Sequence, residues 1–175
     1  SIKIEGGTFT SGLKLMKPGD SLSLKPKSTG SLVIDYLTPK DNLVLLSTGT
    51  GIAPFMSIVN DPFTYERFKK VYLFHTVRNK NELCYKNRLS MLEKNLQFNY
   101  VESVTKEDYC RKGRFWDFIN EYLPNYFNKE EMSVMVCGSP NLNKECRTLL
   151  SQNQWTEGNT GEMGDFLLER AFVDK

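Results

Sequence analysis

From residue 43 onward, short apolar runs alternate with segments whose apolar residues recur at helical spacing. A strand that is apolar on both faces belongs in a sheet with helices on both sides. Regular alternation of such strands with helices predicts an α/β fold with a doubly wound parallel sheet. The predicted strands are Leu43–Ser47, Val71–Thr76, Phe98–Val104, Val134–Cys137 and Phe166–Glu169.

Helices are predicted between these runs, where apolar residues three or four positions apart mark one face. One helix is expected after each of the first four strands. Their apolar faces carry Ile52, Phe55, Met56 and Val59; then Tyr85, Leu89, Leu92 and Leu96; then Phe115, Phe118, Ile119 and Tyr122; and last Leu142, Cys146, Leu149 and Leu150.

The first 40 residues differ in character, and a polar stretch around Pro39 separates them from the rest. In two of their runs, apolar and polar residues alternate as they do in half-buried antiparallel strands. We interpret residues 1–40 as the last part of an antiparallel β-barrel, too short to close, and residues 41–175 as the α/β domain. The predicted elements of the first part are strands over Ser1–Ile4, Ser21–Lys25 and Ser31–Asp35, a helix over Thr10–Met16 and a turn over Lys17–Asp20.

The composition argues against several classes of protein. The net charge of +2 does not require a nucleic acid or an anionic membrane as partner, and no apolar run approaches the ~20 residues that span a bilayer. The four cysteines form no CxxC pair, and we expect no metal site. They could form two disulfides, but in a chain of this size with no export signal we expect reduced thiols. Without a visible export signal we expect a cytoplasmic protein, and we take it to be a monomer. The chain enters a predicted strand directly at Ser1, and we expect that it begins partway through a protein.

The first strand of the α/β domain passes into its helix through a glycine-rich turn, Gly49-Thr50-Gly51-Ile52-Ala53-Pro54-Phe55. Glycines permit the sharp turn and let a phosphate approach the backbone, while the helix N-terminus offers free N–H groups and partial positive charge. Pro54 suits an early helical position. The pattern is GxGxxP and not GxGxxG, and it is not a Walker loop. Taken alone, it predicts either a phosphate-binding turn or a plain tight turn.

The whole string from Gly49 to Phe55 resembles the nucleotide loop of the ferredoxin–NADP reductase superfamily. The residues after it, Asp61-Pro62 and Tyr65-Glu66-Arg67-Phe68, resemble the bacterial ferredoxin (or flavodoxin)–NADP reductases. The resemblance implies an enzyme that transfers hydride between NADPH and FAD, and single electrons to or from ferredoxin or flavodoxin. It also implies NADP contacts, with Thr50 closest to the nicotinamide, at Gly49, Thr50, Gly51 and Pro54.

Three cations favour NADP over NAD. An NAD site normally places a carboxylate on the adenosine ribose, whereas an NADP site has arginine or lysine for the 2′-phosphate. Arg78 follows the second strand where that acid would stand, Lys106 follows the third, and Arg114 opens the next helix. The resemblance assigns all three to the 2′-phosphate, although Lys106 stands where arginine is common and loses bidentate geometry. For each of them alone, a solvated surface charge is the alternative.

The fourth strand ends in Cys137-Gly138-Ser139-Pro140, with Ser139 placed to cap the next helix and Pro140 at its first position. A cysteine here can either touch a ligand in the crevice or be a buried structural residue. The resemblance implies that Cys137 helps to seat the nicotinamide against the flavin, as a positioning residue and not a nucleophile. It also implies NADP contacts at Gly138, Ser139 and Pro140.

The tail from Gly164 to Lys175 resembles the C-terminus of one bacterial subgroup of the family. The resemblance implies that Glu169 lies near the flavin and nicotinamide, that Ala171 lies at the flavin ring face, and that Phe172 packs beyond it toward the adenine of FAD. An ordinary amphipathic tail is the alternative. The single histidine, His75, ends a strand without a visible carboxylate or cysteine partner, so we expect it to be structural.

The family anchors FAD mainly through an Arg-x-Tyr-Ser/Thr segment, which this sequence does not contain. A second element, the glycine turn Gly6-Gly7 followed by Thr10 and Ser11 at a helix start, is present and could take the FAD pyrophosphate. The resemblance therefore implies part of an FAD-binding barrel in residues 1–40 and an NADP-binding domain with an FAD-contacting tail in residues 41–175. We expect the chain alone to be inactive or nearly so.

Two other functions are compatible with these patterns. One is an NADH-dependent reductase of the same superfamily, with an oxygenase or a cytochrome as acceptor. Arg78 and the tail ending at Lys175 argue against it, as does the lack of an iron–sulfur cysteine cluster. The other is a nucleotide-binding module without redox chemistry, which would leave Cys137 and the tail without a role.

Overall fold

The computed structural model describes residues 8–27, 30–123 and 128–169. The strands are β1 (Asn42–Thr48), β2 (Lys70–Val77), β3 (Phe98–Val104), β4 (Met132–Cys137) and β5 (Phe166–Leu168). The helices are α1 (Thr8–Leu15), α2 (Ile52–Asn60), α3 (Pro62–Arg67), α4 (Lys86–Leu92), α5 (Ile119–Tyr122) and α6 (Pro140–Gln152). Short 3-10 turns cover Ile34–Tyr36, Gly49–Gly51, Lys80–Glu82 and Phe115–Asp117.

The five strands form one parallel sheet in the order β3-β2-β1-β4-β5. The chain moves outward from β1 to β2 and β3, and then returns to the other side of β1 as β4. This reversal leaves a crevice outside the carboxyl ends of β1 and β4, where Ser47 pairs in register with Cys137. All five predicted strands of the α/β domain are confirmed.

Helices cover both faces of the sheet, as the apolar strands require. Val44 and Leu46 of β1 pack in the same core as the buried residues of α5 and α6. Leu43 and Leu45 pack in the opposite core, with those of α2 and α4. Burial of each such side chain is worth about 1.5–3 kcal/mol, so β1 is held from both sides. The doubly wound arrangement is therefore confirmed.

The strands predicted over Ser21–Lys25 and Ser31–Asp35 are wrong. The first segment has no regular structure, and Leu24 is 83% exposed; the second runs into the 3-10 turn at Ile34–Tyr36. An alternating pattern makes a strand only where a neighbouring strand pairs with it, and no strand among the described residues does so. The barrel remnant is therefore not seen in the described part of residues 1–40. The strand predicted over Ser1–Ile4 lies outside the described residues.

Residues within and just after the second of these segments pack against the α/β domain instead. Ile34 and Leu37 are buried in the core that contains α2. The backbone N–H of Thr38 donates to the carbonyl of Gly164 over 2.8 Å, and the carbonyl of Thr38 accepts from the hydroxyl of Ser133, also over 2.8 Å. The polar stretch around residue 40 therefore runs along the sheet and is fastened to it.

The predicted helices exist, with changes at their ends. The helix over Tyr85–Leu96 is shorter than predicted, because Tyr85 has left-handed backbone (φ 61°) and α4 ends at Leu92. Leu96 is consequently 86% exposed in the turn before β3. The helix predicted around Phe115–Tyr122 is divided into a 3-10 turn and the single turn of α5.

The first helix and its turn agree with expectation. The helix predicted over Thr10–Met16 is α1, and the turn over Lys17–Asp20 closes with a 3.0 Å bond from the N–H of Asp20 to the carbonyl of Lys17. Gly19 has φ +101° in this turn, a conformation that glycine adopts at low cost. In residues 8–27, 30–123 and 128–169, no helix is both long enough and apolar enough to cross a bilayer.

Candidate functional site

Two turns face each other at the crevice between β1 and β4. One is the glycine turn Gly49–Gly51, which joins β1 to α2, and the other is Cys137–Pro140, which joins β4 to α6. In open α/β sheets, ligands bind outside the carboxyl ends of the strands at the point where strand order reverses. The two segments that were singled out in the sequence are therefore adjacent in the fold.

Glycines let these two turns touch backbone to backbone. A Cβ on Gly51 would lie 2.1 Å from the carbonyl oxygen of Cys137, and a Cβ on Gly138 would lie 2.2 Å from the hydroxyl oxygen of Thr48. That hydroxyl accepts a 3.0 Å hydrogen bond from the N–H of Ser139. Gly49 differs, since it has φ +55° and open space where its Cβ would be. Gly51 and Gly138 thus serve the packing of the turns, and Gly49 serves the turn itself.

Two helices begin at this crevice. Thr50 is half-buried just before α2, and Pro54 stands in the first turn of that helix. Ser139 caps α6, its hydroxyl accepting from the N–H of Leu142 over 3.2 Å, and Pro140 is the first helical residue, as predicted. Helix N-termini carry partial positive charge and free N–H groups. The crevice is therefore suited to an anionic ligand.

Cys137 and Glu169 are brought together at the same crevice. The Cys137 thiol donates a short hydrogen bond to the Glu169 carboxylate. Burial raises the pKa of Cys137 far above its ordinary value, and the hydrogen bond and charge of Glu169 raise it further. The group is accordingly a neutral thiol and a hydrogen-bond donor, not a thiolate nucleophile.

The backbone of Glu169 is held on both sides. Its N–H donates to the carbonyl of Val136 over 3.0 Å, and its carbonyl accepts from the side-chain amide of Asn143 over 2.8 Å. Asn143 lies on α6, so this helix contributes both a cap at the crevice and an anchor for the Glu169 backbone. Cys137 and Glu169, which were predicted separately as site residues, are therefore held in a defined geometry.

The three predicted cations lie at the carboxyl ends of β2 and β3. The N–H of Lys106 donates to the carbonyl of Arg78 over 3.0 Å, which places these two exposed residues side by side. Arg114 precedes Phe115, whose N–H donates to the Thr76 hydroxyl near the end of β2 over 3.0 Å. The cations are thus grouped at one edge of the sheet, beside the crevice.

The cations differ in what surrounds them. The guanidinium of Arg114 forms a bidentate pair with the carboxylate of Glu145 on α6. Among the described residues, no side chain pairs with the charged groups of Arg78 and Lys106. Two of the three charges are therefore free to take an anion, and the third already holds a carboxylate.

Two residues of this region were not predicted as part of the site. His75, which was expected to be structural, is fully buried and donates to the carbonyl of Gly49 in the glycine turn itself. Glu145 on α6 is the second of these residues. Its position one residue before the buried Cys146 on α6 was the only available signal, and only the structure shows its contact with Arg114.

The predicted FAD contacts are described only in part. Thr10 and Ser11 lie in the first turn of α1, as expected for a helix start. Gly6, Gly7, Ala171 and Phe172 lie outside the described residues. The four cysteines are free thiols.

A family model, several sequence relatives and a solved structure are all similar to this chain. A family model described as the oxidoreductase NAD-binding domain matches residues 45–148. The ferredoxin–NADP reductases of Azotobacter vinelandii and Pseudomonas aeruginosa are each 40% identical to this chain over 192 aligned positions, covering 100% of the chain and 74% of each relative. The flavodoxin/ferredoxin–NADP reductase of Rhodobacter capsulatus is 35% identical, covering 99% of the chain and 70% of the relative.

A solved structure agrees with the sequence relatives. The crystal structure of a ferredoxin NADP+ reductase from Neisseria gonorrhoeae with bound FAD and NADP superposes with a TM-score of 0.82 at 28% identity. The superposition covers 97% of this chain and 72% of that one.

Proposed function

The chain belongs to the ferredoxin–NADP reductase family, and we propose that its crevice binds NADP(H) for hydride exchange with FAD and for one-electron exchange with ferredoxin or flavodoxin. When bound, the nicotinamide supplies or accepts the hydride, and the flavin couples it to single-electron steps. We further propose that residues 1–40 belong to the FAD-binding part and residues 41–175 to the NADP-binding part. The bacterial relatives and the free thiols support a bacterial, cytoplasmic protein.

One observation carries the proposal: the glycine turn and the Cys137–Glu169 pair meet at the crevice, and at the neighbouring strand ends stand two cations, Arg78 and Lys106, that pair with no side chain in the described part of the chain. An anion-attracting surface formed by two helix starts suits the pyrophosphate of a dinucleotide. Arg78 and Lys106 suit the 2′-phosphate, because charge-assisted hydrogen bonds to phosphate are roughly twice as strong as neutral ones. The open space at Gly49 leaves that turn accessible to a ligand.

The side chains at the crevice act by position. Hydride transfer requires donor and acceptor carbons in contact, and correct placement supplies much of the rate. Thr50 and the Cys137 thiol border the space where a nicotinamide would lie, and Glu169 fixes the thiol's direction through its hydrogen bond. NADP contacts at Gly49, Gly51, Pro54, Gly138, Ser139 and Pro140, and FAD contacts at Thr10, Ser11, Ala171 and Phe172, are part of the proposal.

The test is a calorimetric titration of the purified chain with NADP and NAD in parallel. We expect NADP to bind about 10–100 times more tightly, from a few charge-assisted bonds to the 2′-phosphate. Arg78→Ala should remove most of that preference. Lys94→Ala is the matched control, since Lys94 is an exposed lysine in the turn before β3, at the amino end of the strands.

The outcomes separate the candidate functions. Equal affinities, or a preference for NAD, would favour an NADH-dependent reductase of the same superfamily. Binding of neither nucleotide by a sample that circular dichroism shows to be folded would contradict the proposed site.

A further inference from the structure

The only histidine of the chain, His75, is buried beneath the glycine turn Gly49–Gly51. It contacts one residue directly after β1 and one residue on β3. Its Nε2 lies 2.9 Å from the carbonyl oxygen of Gly49, directly after β1. Its Nδ1 lies 3.3 Å from the hydroxyl of Tyr100 on β3. His75 itself is on β2 and has no exposed surface. One imidazole therefore connects the turn to the interior of the sheet.

The two contacts define the protonation of the ring. A carbonyl oxygen can only accept, so Nε2 must carry the hydrogen. Burial lowers the pKa of His75 below its ordinary value, which keeps the ring neutral and leaves Nδ1 as an acceptor. The Tyr100 hydroxyl, 3.3 Å away, is the donor that faces Nδ1, and the Glu102 carboxylate is a second acceptor for the same proton. Tyr100 stays protonated because burial, and secondarily the neighbouring Glu102 carboxylate, raise its pKa.

The carboxylates nearest to His75 and Tyr100, those of Glu102 and Glu82, form hydrogen bonds with other residues. Glu102 accepts a short hydrogen bond from the hydroxyl of Tyr109, and its carboxylate lies 3.9 Å from the ammonium of Lys86. Glu82 of the loop after β2 accepts from the side-chain amide of Asn79. Glu102 therefore has Tyr109 as a donor besides Tyr100, and its demand on the Tyr100 proton is shared.

The bond to Gly49 has a consequence on the other side of the same peptide. In a trans peptide, the carbonyl oxygen and the following N–H point in opposite directions. With the Gly49 carbonyl directed at the buried imidazole, the N–H of Thr50 is directed away from it. Gly49 has φ +55°, and glycine's freedom means that its own conformation does not hold this peptide in one orientation.

We propose that His75 is a positioning residue for the nucleotide: by holding the Gly49 carbonyl, it aims the Thr50 N–H at the bound dinucleotide. Tyr100 selects the tautomer that can do so. The role rests on the proposed function, since it presumes that NADP(H) lies against this turn. A buried histidine that serves packing alone would not need a defined tautomer.

Two substitutions distinguish the two ring nitrogens. Glutamine can place an amide nitrogen near the position of Nε2, whereas asparagine reaches only the position of Nδ1. We expect His75→Asn to weaken NADP binding by about tenfold, and His75→Gln to stay within about threefold of the wild type. Tyr100→Phe, which deletes only a hydroxyl, should weaken binding by about threefold. All are measured by calorimetry on the full chain.

Ser133→Ala is the control for stability. Ser133 is also fully buried and also bonds a carbonyl, that of Thr38, but it lies near the start of β4. Ser133→Ala should lower the midpoint temperature of unfolding without changing the affinity for NADP. Nitrogen-15 NMR supplies a second readout: wild-type His75 should show the Nε2–H tautomer, and the Thr50 amide resonance should shift in His75→Asn more than in Ser133→Ala.

The outcomes are separable. Normal NADP binding by His75→Asn, or by Tyr100→Phe if the first variant does not fold, would overturn the role of His75 and leave the proposed function standing. An Nδ1–H tautomer in the wild type would overturn it as well. Failure of the folded wild-type chain to bind NADP would overturn the proposed function and this role together.

Discussion

The thiol of Cys137 donates a hydrogen bond to the carboxylate of Glu169, which lies 32 residues further along the chain. β4 and β5 are neighbours in the sheet, so the pairing of these strands brings the two side chains to one end of it. The contact keeps the Cys137 thiol protonated and fixes the direction of its S–H bond toward Glu169. It also leads to a first prediction, on chemical reactivity.

Cys137 should resist alkylation at pH 7–9. Its pKa is raised by burial and by Glu169, so the thiolate that attacks iodoacetamide is scarce in this range. Cys110 is exposed and should be alkylated first. Mass spectrometry of tryptic peptides after timed labelling measures both rates in one sample. Labelling of Cys137 at the rate of Cys110 would show that the buried hydrogen bond is not maintained in solution.

The pair of Arg114 and Glu145 should limit NADP affinity. Glu145 occupies the guanidinium that we assign to the 2′-phosphate, so the nucleotide must displace it. Because both side chains are partly exposed, Glu145→Gln should tighten NADP binding only about twofold to fivefold and leave NAD binding unchanged. The measurement is parallel calorimetry with both nucleotides.

Glu157→Gln is the matched control for this prediction. Glu157 pairs with Arg147, which lies on the same helix as Glu145. Glu157→Gln also removes one negative charge, but at a site that is distant from the three cations. If Glu157→Gln tightened NADP binding as much as Glu145→Gln, the effect would be one of net charge and not of the pair with Arg114.

Alanine at Gly51 should destabilise the protein much more than alanine at Gly12. A Cβ at Gly51 would overlap the Cys137 carbonyl at 2.1 Å, and relief of a backbone overlap costs about 1–3 kcal/mol or more. Gly12 lies inside α1 with nothing within 4 Å, so Gly12→Ala should instead stabilise by about 0.5–1 kcal/mol. Urea denaturation measures both free energies of unfolding. A mild effect at Gly51 would mean that the two turns can separate.

Periodicity sufficed for the α/β part of the fold because burial on both faces leaves a strong pattern in β1 to β4. It failed for Ser21–Lys25, where the alternation has no pairing partner among the described residues. It also failed at Leu96, because the pattern does not record the left-handed Tyr85 or the early end of α4. Where a helix ends is decided by local backbone geometry, which apolar spacing does not encode.

Site prediction shows the same division. The glycine turn, Cys137 and Glu169 were recognisable because the resemblance covers contiguous strings of residues. The contact of Glu145 with Arg114 was not, since it joins residues 31 positions apart through side-chain orientation alone. The bond from His75 to Gly49 was hidden for the same reason. The position of a single histidine near a strand end does not reveal which backbone group its side chain will bond in the folded protein.

Finally, the stability of the protein should fall as the pH drops below about 6.5. Burial lowers the pKa of His75 in the folded state, against the weaker opposing effects of the Gly49 bond, Glu102 and Glu82. Below about pH 6.5 the imidazole is therefore protonated in the unfolded chain but not in the folded chain. The free energy of unfolding consequently decreases as the pH falls from about 6.5 toward the lowered pKa of the folded state. Since His75 is the only histidine, few other side chains titrate between pH 5 and 8. Urea denaturation at several pH values should show this slope in the wild type and a flatter profile in His75→Gln, and equal slopes in the two proteins would mean that His75 is protonated as readily when folded as when unfolded.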